Sequence, residues 1–533
     1  MAEIQLYDCT LREGAQQEGI SFSLEDKIKI TKSLDELGVH YIEGGYPGSN
    51  PKDAEFFVRV RNLGLKNATI TAFGSTRRAA IAAENDANLR ALLDTKAPVI
   101  TLVGKSSLMQ VTKVIETTPE EGIAMVADSV RFLKSKGRKA FFDAEHFFDG
   151  YKYDADYSRR AVQAAVEAGA DCVILCDTNG GTLTEDLVAA IRDIKANCNV
   201  PLGIHVHNDT ELAVANTLAA VREGFAQVQG TANGYGERCG NANLFTMIPT
   251  LKLKMGHNCV TDAQLARVTE TARYISEIAN RSLDPHTPYI GTSAFAHKAG
   301  LHVAAIMKNE DTYQHVNPVL VGNQRRVVVS ELSGRGTIVY KAQEKGLDLG
   351  VQGDKARAII EHVKSMESKG FQYEGAEASF DLLLRRAQAD YTPPFELVDF
   401  LVVVEKRRRS STIDGEELLS EAMVKVRVGE DVMHTVAEGN GPVNALDAAL
   451  RKALMEFFPS LAAVKLTDYK VRILEESVGT GSLVRVLIES SDGEDEWRTV
   501  GSSTNIIEAS WLALADSLEY WLLKQAGNGS ATG

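Results

Sequence analysis

Short apolar, β-branched runs recur eight times before about residue 235, separated by longer stretches with helical periodicity. The runs are IQLYD (4–8), YIEGG (41–45), ATITAF (68–73), PVITLV (98–103), KAFFDA (139–144), CVILCD (172–177), LGIHVH (202–207) and AQVQGT (226–231). Helical patterns such as 23–38, 157–170 and 210–224 lie between them, the first with Ser23 placed as an N-cap and Gly38 as a stop. Strand–helix alternation is the pattern of a parallel sheet, and eight repeats within about 240 residues predict an α/β fold closed into a TIM (β/α)8 barrel over 1–260.

From 261 to 390 the chain becomes mainly helical, and DYTPPFELVDF (390–400) marks a boundary because consecutive prolines stop a helix. Within 391–525, TVAEGNGPVNALDAALRKAL (435–454) aligns with TVGSSTNIIEASWLALADSL (499–518). Each copy reads as strand, strand, turn, helix, which predicts a C-terminal α+β domain with internal pseudo-symmetry, followed by a disordered tail at 526–533.

The formal charge of −14 argues against a nucleic-acid partner, which needs a concentrated basic surface; the basic cluster EKRRRSS (405–411) reads as a solvated linker. No apolar window approaches a membrane span and the N-terminus carries no signal-peptide pattern, so a cytoplasmic protein is expected. Six cysteines form no CxxC pair, and Cys172 and Cys176 fit core packing better than metal binding.

The chemistry gathers at strand ends. On strand 7, His205 and His207 are two residues apart and therefore share a face, near the C-terminal mouth where barrels place their active sites. Two imidazoles on rigid backbone make half a metal site; two core histidines satisfied by polar neighbours is the plain alternative. Arg12 and Glu13 follow strand 1, Glu145 and Thr178 follow strands 5 and 6, and Asn241 lies in the glycine-rich loop after strand 8. A carboxylate from Glu13 and an amide oxygen from Asn241 would complete a mixed nitrogen and oxygen set, leaving two octahedral positions for a 2-oxo acid. Arg12 could stabilise charge developing on its oxygen. Phe73 and Val103, taken to end strands 3 and 4, are expected to form the wall that limits the size of the oxo acid.

LREG after strand 1, HVHND after strand 7 and NGYGERCGNANL after strand 8 resemble the DRE-TIM metallolyase superfamily. The likeness extends through FAHKAGLHVAAIMKNEDTYQHVNP (295–318) and ELSGRGTI (331–338) to the C-terminal domain, within the branch of 2-isopropylmalate, homocitrate and citramalate synthases. DCTLREGAQ and EGGYPGSNPKD (43–53) are most similar to the long citramalate synthases, with 2-isopropylmalate synthase as the alternative.

The resemblance implies that Glu13, His205, His207 and Asn241 bind a divalent metal ion (Mg, Mn, Co or Zn), that Arg12 polarises pyruvate, and that Thr178 holds its carboxylate. Glu145 and His302 would serve acetyl-CoA, with His302 favoured as the base because an imidazole titrates near neutrality. Tyr313 would enter from the partner of a homodimer with an exchanged linker, and the C-terminal domain would bind an amino-acid effector, isoleucine. A non-catalytic amino-acid sensor on the same scaffold would have lost some of these positions, and none is missing.

Overall fold

The structure is a computed structural model that describes residues 4–330, 333–347, 354–389, 391–405, 419–474, 479 and 481–529. It divides into two compact units, Met1–Phe295 with His315–Arg325, and Ala296–Gln314 with Arg326–Gly533.

In the first unit eight parallel strands close into a barrel in sequence order: β1 (Gln5–Asp8), β2 (Tyr41–Glu43), β3 (Thr69–Ser75), β4 (Val99–Lys105), β5 (Lys139–Glu145), β6 (Cys172–Asp177), β7 (Leu202–Val206) and β8 (Gln227–Gly230). Closure is made by β8 pairing with β1, Leu6 opposite Val228. All six residues of β6 are buried, as a strand covered on both faces requires. The helix Leu24–Leu37 starts and stops where expected: Ser23 and Asp26 form a reciprocal capping box, and Gly38 ends it at φ +90°. Helices Asp262–Leu265 and Val268–Ile278 share the barrel's apolar core through Leu265, Val268, Ala272 and Ile275.

Side chains that point into the barrel form an apolar cluster and a polar set. Tyr7, Val99, Phe141, Cys172, Ile174 and Cys176 pack together, which gives both cysteines the core role expected of them. All six cysteines are free thiols. In the polar set, the Tyr7 hydroxyl meets Glu43 (2.7 Å), Thr71 (2.9 Å) and Thr101 (2.8 Å).

Two strands run past their expected ends. β3 and β4 continue through Gly74 and Gly104 to Ser75 and Lys105, so Phe73 and Val103 stand one pleat below the rim instead of ending their strands. The glycines sit on the outer face, where a Cβ would come within 2.8 Å of Leu92 and 2.7 Å of Phe142. Here glycine admits a close neighbour and does not break the strand.

In the second unit, short β9 (Ala296–His297) and β10 (Arg326–Val327) pair in parallel. Helices Arg335–Glu344, Asp354–Ser368 and Glu377–Arg386 enclose a small core that includes Ile338, Ile359, Val363, Phe380 and Leu384. Two three-stranded antiparallel sheets follow: β11 (Glu396–Glu405), β12 (Leu419–Val428) and β13 (Asp431–Gly439), then β14 (Lys465–Ile473), β15 (Val484–Ser491) and β16 (Glu496–Ser503). The first sheet is followed by the helix Pro442–Leu454 and the second by Ile506–Gly529. The repeat is therefore βββα twice, one strand more per copy than the sequence pattern suggested, and the halves share a core through Val424, Leu446, Leu450, Trp497 and Trp511.

The last helix extends to Gly529 and corrects the expected tail at 526–533 over its first four residues; 530–533 lie outside the described residues. An apolar helix already anchored on a sheet propagates past a single glycine. Of the basic cluster, 406–411 also lie outside the described residues. No helix among the described residues is long and apolar enough to cross a membrane.

Candidate metal and oxo-acid site

Glu13, His205 and His207 converge at the mouth of the barrel, each buried and each offering a ligand atom within 4.8 Å of the others. Alternation on β7 turns both imidazoles inward, with ring centroids 5.3 Å apart. Glu13 Oε1 lies 3.6 Å from His207 Nε2. Burial pushes the Glu13 carboxyl up, but Arg12 and the two imidazoles pull it down further, to about 2. Burial together with neighbouring His205 holds His207 at about 3, and burial lowers His205 as well. At neutral pH the site therefore presents one carboxylate and two neutral imidazoles, the protonation states a divalent cation needs.

The loop after β8 brings in Asn241. It forms an isolated antiparallel bridge with His207, and its Nδ2 donates to the Tyr235 carbonyl (3.2 Å). The other end of that amide, Oδ1, is buried with no hydrogen-bond partner, and so is His207 Nδ1. A buried acceptor without a donor is unfavourable by itself, and a cation beside Glu13 would satisfy it. The donor set thus fits a divalent metal ion. The loop holds its shape through glycine: at Gly240 (φ +87°) a Cβ would fall 2.0 Å from the Gly234 carbonyl.

Arg12 lies beside this set. Its guanidinium pairs with Glu13 and with Glu43 on β2, and its Cζ stands 3.7 Å over the Phe73 ring. Burial works against its charge, but Glu43 and Glu13 outweigh burial and hold it protonated. Thr178 accepts from the His146 backbone N–H through Oγ1 (2.8 Å), which leaves its own O–H to donate. Glu145 pairs with Lys105 Nζ at 2.5 Å. Arg238 ties the rim together, bonding to Asp209 (2.7 Å) and to the Thr178 carbonyl (2.8 Å). In register, Val103 stands beside Asp143.

His302 and Tyr313 lie in the second unit, where their rings stack on one another with centroids 4.2 Å apart. The structure brings Glu13, His205 and His207 together, with Arg12 joined to them through Glu13.

Sequence reasoning overlooked Glu43, Lys105, Gln229 and Arg238. Glu43 and Gln229 carried a signal, since polar residues at inward positions of otherwise apolar strands need partners. Lys105 carried none, because the strand was ended too early.

Three family models match consecutive stretches: HMGL-like over 3–275, homocitrate synthase post-HMGL domain-like over 289–370, and the LeuA allosteric (dimerisation) domain over 374–522. The chain is 51% identical to an (R)-citramalate synthase of Geobacter sulfurreducens, covering 98% of each chain. It belongs to the (R)-citramalate synthase family. A second member, from Aquifex aeolicus, is 47% identical over 99% of this chain and 100% of its own length. The 2-isopropylmalate synthase of Methanocaldococcus jannaschii is more distant, at 29% identity over 98% of this chain and 95% of its own. Family membership and the barrel-mouth constellation agree on an acetyl-CoA-dependent condensing transferase.

Proposed function

We propose that this chain condenses acetyl-CoA with pyruvate and hydrolyses the thioester, releasing (R)-citramalate and CoA. The observation that carries this reading is the Glu13, His205, His207 set beside Arg12, in a chain about half identical to (R)-citramalate synthases along its length.

Glu13, His205, His207 and Asn241 would hold a divalent ion, which when bound would supply Lewis acidity at the pyruvate ketone. Arg12 donates to the same oxygen and offsets the charge that grows there as the new carbon–carbon bond forms. The Thr178 hydroxyl donates to the pyruvate carboxylate. His302 takes a proton from the thioester methyl, the resulting enolate carbon attacks the ketone carbon, and the oxygen formed there takes up the proton that His302 then gives back. Water attacks the thioester carbonyl, with Glu145 positioned to accept its proton, and CoA leaves as the thiol. Phe73 and Val103 line the pyruvate methyl.

His302 and Tyr313 act from the linker segment of a second copy in a homodimer. In support, the helix Gly300–Lys308 exposes Leu301 (77%) and Met307 (47%), an apolar surface suited to being covered. The enzyme works in the cytoplasm, in isoleucine biosynthesis, and isoleucine binding to the C-terminal domain regulates it. The turns EGNGPVN and GTGSLV are its candidate contacts; part of the latter lies outside the described residues.

A thiol-release assay with acetyl-CoA tests the substrate directly, with pyruvate, 2-oxoisovalerate and 2-oxoglutarate side by side. Pyruvate is expected to give the highest kcat/KM; a preference for 2-oxoisovalerate would overturn the reading.

A further inference from the structure

His205 has two ring nitrogens, and only one can face a metal ion. Its Nδ1 lies 2.9 Å from Oε1 of Gln229, on the neighbouring strand β8. The orientation of that carboxamide is set from the far side. Gln229 Nε2 donates to Asp143 Oδ1 (3.3 Å) and to Gln227 Oε1 (3.5 Å). The NH2 end faces Asp143 and Gln227, and the oxygen faces His205, where it also accepts from the Cys9 thiol (3.8 Å). An oxygen opposite Nδ1 places the imidazole hydrogen on Nδ1 and leaves the lone pair on Nε2. Cys9, Asp143, Gln227 and Gln229 are all buried, so water does not compete for these bonds.

We infer that Gln229, itself oriented by Asp143 from across the barrel, is a positioning residue that fixes the tautomer and ring plane of His205 for metal binding. It touches neither metal nor substrate. Metal-bound imidazoles usually give their second N–H to a carboxylate, a carbonyl or water. Here a neutral carboxamide stands between the imidazole and the Asp143 carboxyl group, and the chain Asp143, Gln229, His205 links β5, β8 and β7 through the barrel interior. The role rests on the metal reading proposed above.

The test is a Mn(II) titration of the full chain, followed by the paramagnetic resonance of the free ion, with the melting temperature of the metal-free form measured alongside. Gln229→Leu is expected to weaken Mn(II) binding 10- to 100-fold. Gln229→Glu alone sets two carboxyl groups face to face, with no amide N–H between them, and is expected to weaken it as well. The double exchange Asp143→Asn with Gln229→Glu restores the pattern with donor and acceptor swapped. The amide introduced at 143 donates to the carboxylate introduced at 229, whose other oxygen receives the His205 Nδ1 hydrogen. It is expected to return affinity to within about threefold of the wild type. Wild-type affinity in Gln229→Leu, or a double exchange that binds no better than Gln229→Glu, would overturn the positioning role while leaving the metal reading intact. Failure of the wild type to take up Mn(II) would overturn both.

Discussion

Arg12 illustrates how a buried cation is kept charged and aimed. Glu43 and Glu13 flank it and the Phe73 ring lies under it, so its guanidinium is held in one plane next to the ligand set. The contact also makes Phe73 a wall that Arg12 rests on. Replacing Phe73 and Val103 together by alanine is expected to raise the preference for 2-oxoisovalerate over pyruvate about 10-fold in kcat/KM ratio, the scale of discrimination that apolar packing achieves. An unchanged ratio would remove both from the specificity wall. Asp8 makes a second residue-scale prediction. Burial raises its carboxyl to about 7, against hydrogen bonds from the Thr10 hydroxyl (2.6 Å) and backbone N–H (2.9 Å). An unfolded aspartate titrates near 4, so between about pH 4 and 7 the folded chain keeps a proton that the unfolded chain has released. The stability this proton contributes is complete below about pH 4 and is lost as pH rises through 7. Asp8→Asn is expected to remove that slope, so that between pH 5 and pH 8 the variant loses less stability than the wild type, by an amount on the order of 1–4 kcal/mol. Denaturant titrations at pH 5 and pH 8 check it; parallel pH profiles for the two proteins would contradict it.

At the scale of elements, the site depends on how strands and loops terminate. Residues after β7 and β8 lock together through His207 and Asn241, and Gly240 allows the loop to turn against Gly234. Gly240→Ala is expected to lower stability by about 1–3 kcal/mol through a strained positive φ and to weaken divalent-ion binding, measured by denaturant titration and Mn(II) uptake. Full-strength metal binding in this variant would show that the loop is not what positions Asn241. This scale also shows where the sequence was legible. Short apolar, β-branched runs mark all eight strands, and the two-residue period of a strand turns His205 and His207 to one face, because both depend on local sequence and backbone geometry alone. Strand ends were less legible at Gly74 and Gly104, since whether a glycine stops a strand depends on Leu92 and Phe142, residues distant in sequence. The Asp143, Gln229 and His205 chain was illegible for the same reason: its members are 86 and 24 residues apart and meet only once the barrel closes. The extra strand in each C-terminal repeat went unseen because the internal alignment begins at β13 and β16.

For the whole molecule, the second unit carries apolar side chains that are exposed on its sheets. On the β11–β13 sheet, Phe400 and Val402 pack inward while Leu401 (54% exposed), Val403 (41%) and Val436 (42%) face outward, an apolar sheet face matched by a LeuA allosteric (dimerisation) model. Charging it with Leu401→Glu and Val403→Glu is expected to shift sedimentation from dimer toward monomer and to lower CoA release in step, since Tyr313 is proposed to come from the partner. Full activity in a monomeric variant would contradict that division of labour. Metal held at the barrel mouth is proposed to drive condensation with pyruvate. This role is tested by CoA release from acetyl-CoA and pyruvate in chain stripped with chelator and then titrated with Mn(II), set against His207→Ala. The expected result is turnover that returns in proportion to bound Mn(II), levels off at one ion per chain, and stays flat in the variant. Equal turnover by stripped and reloaded chain would contradict the account.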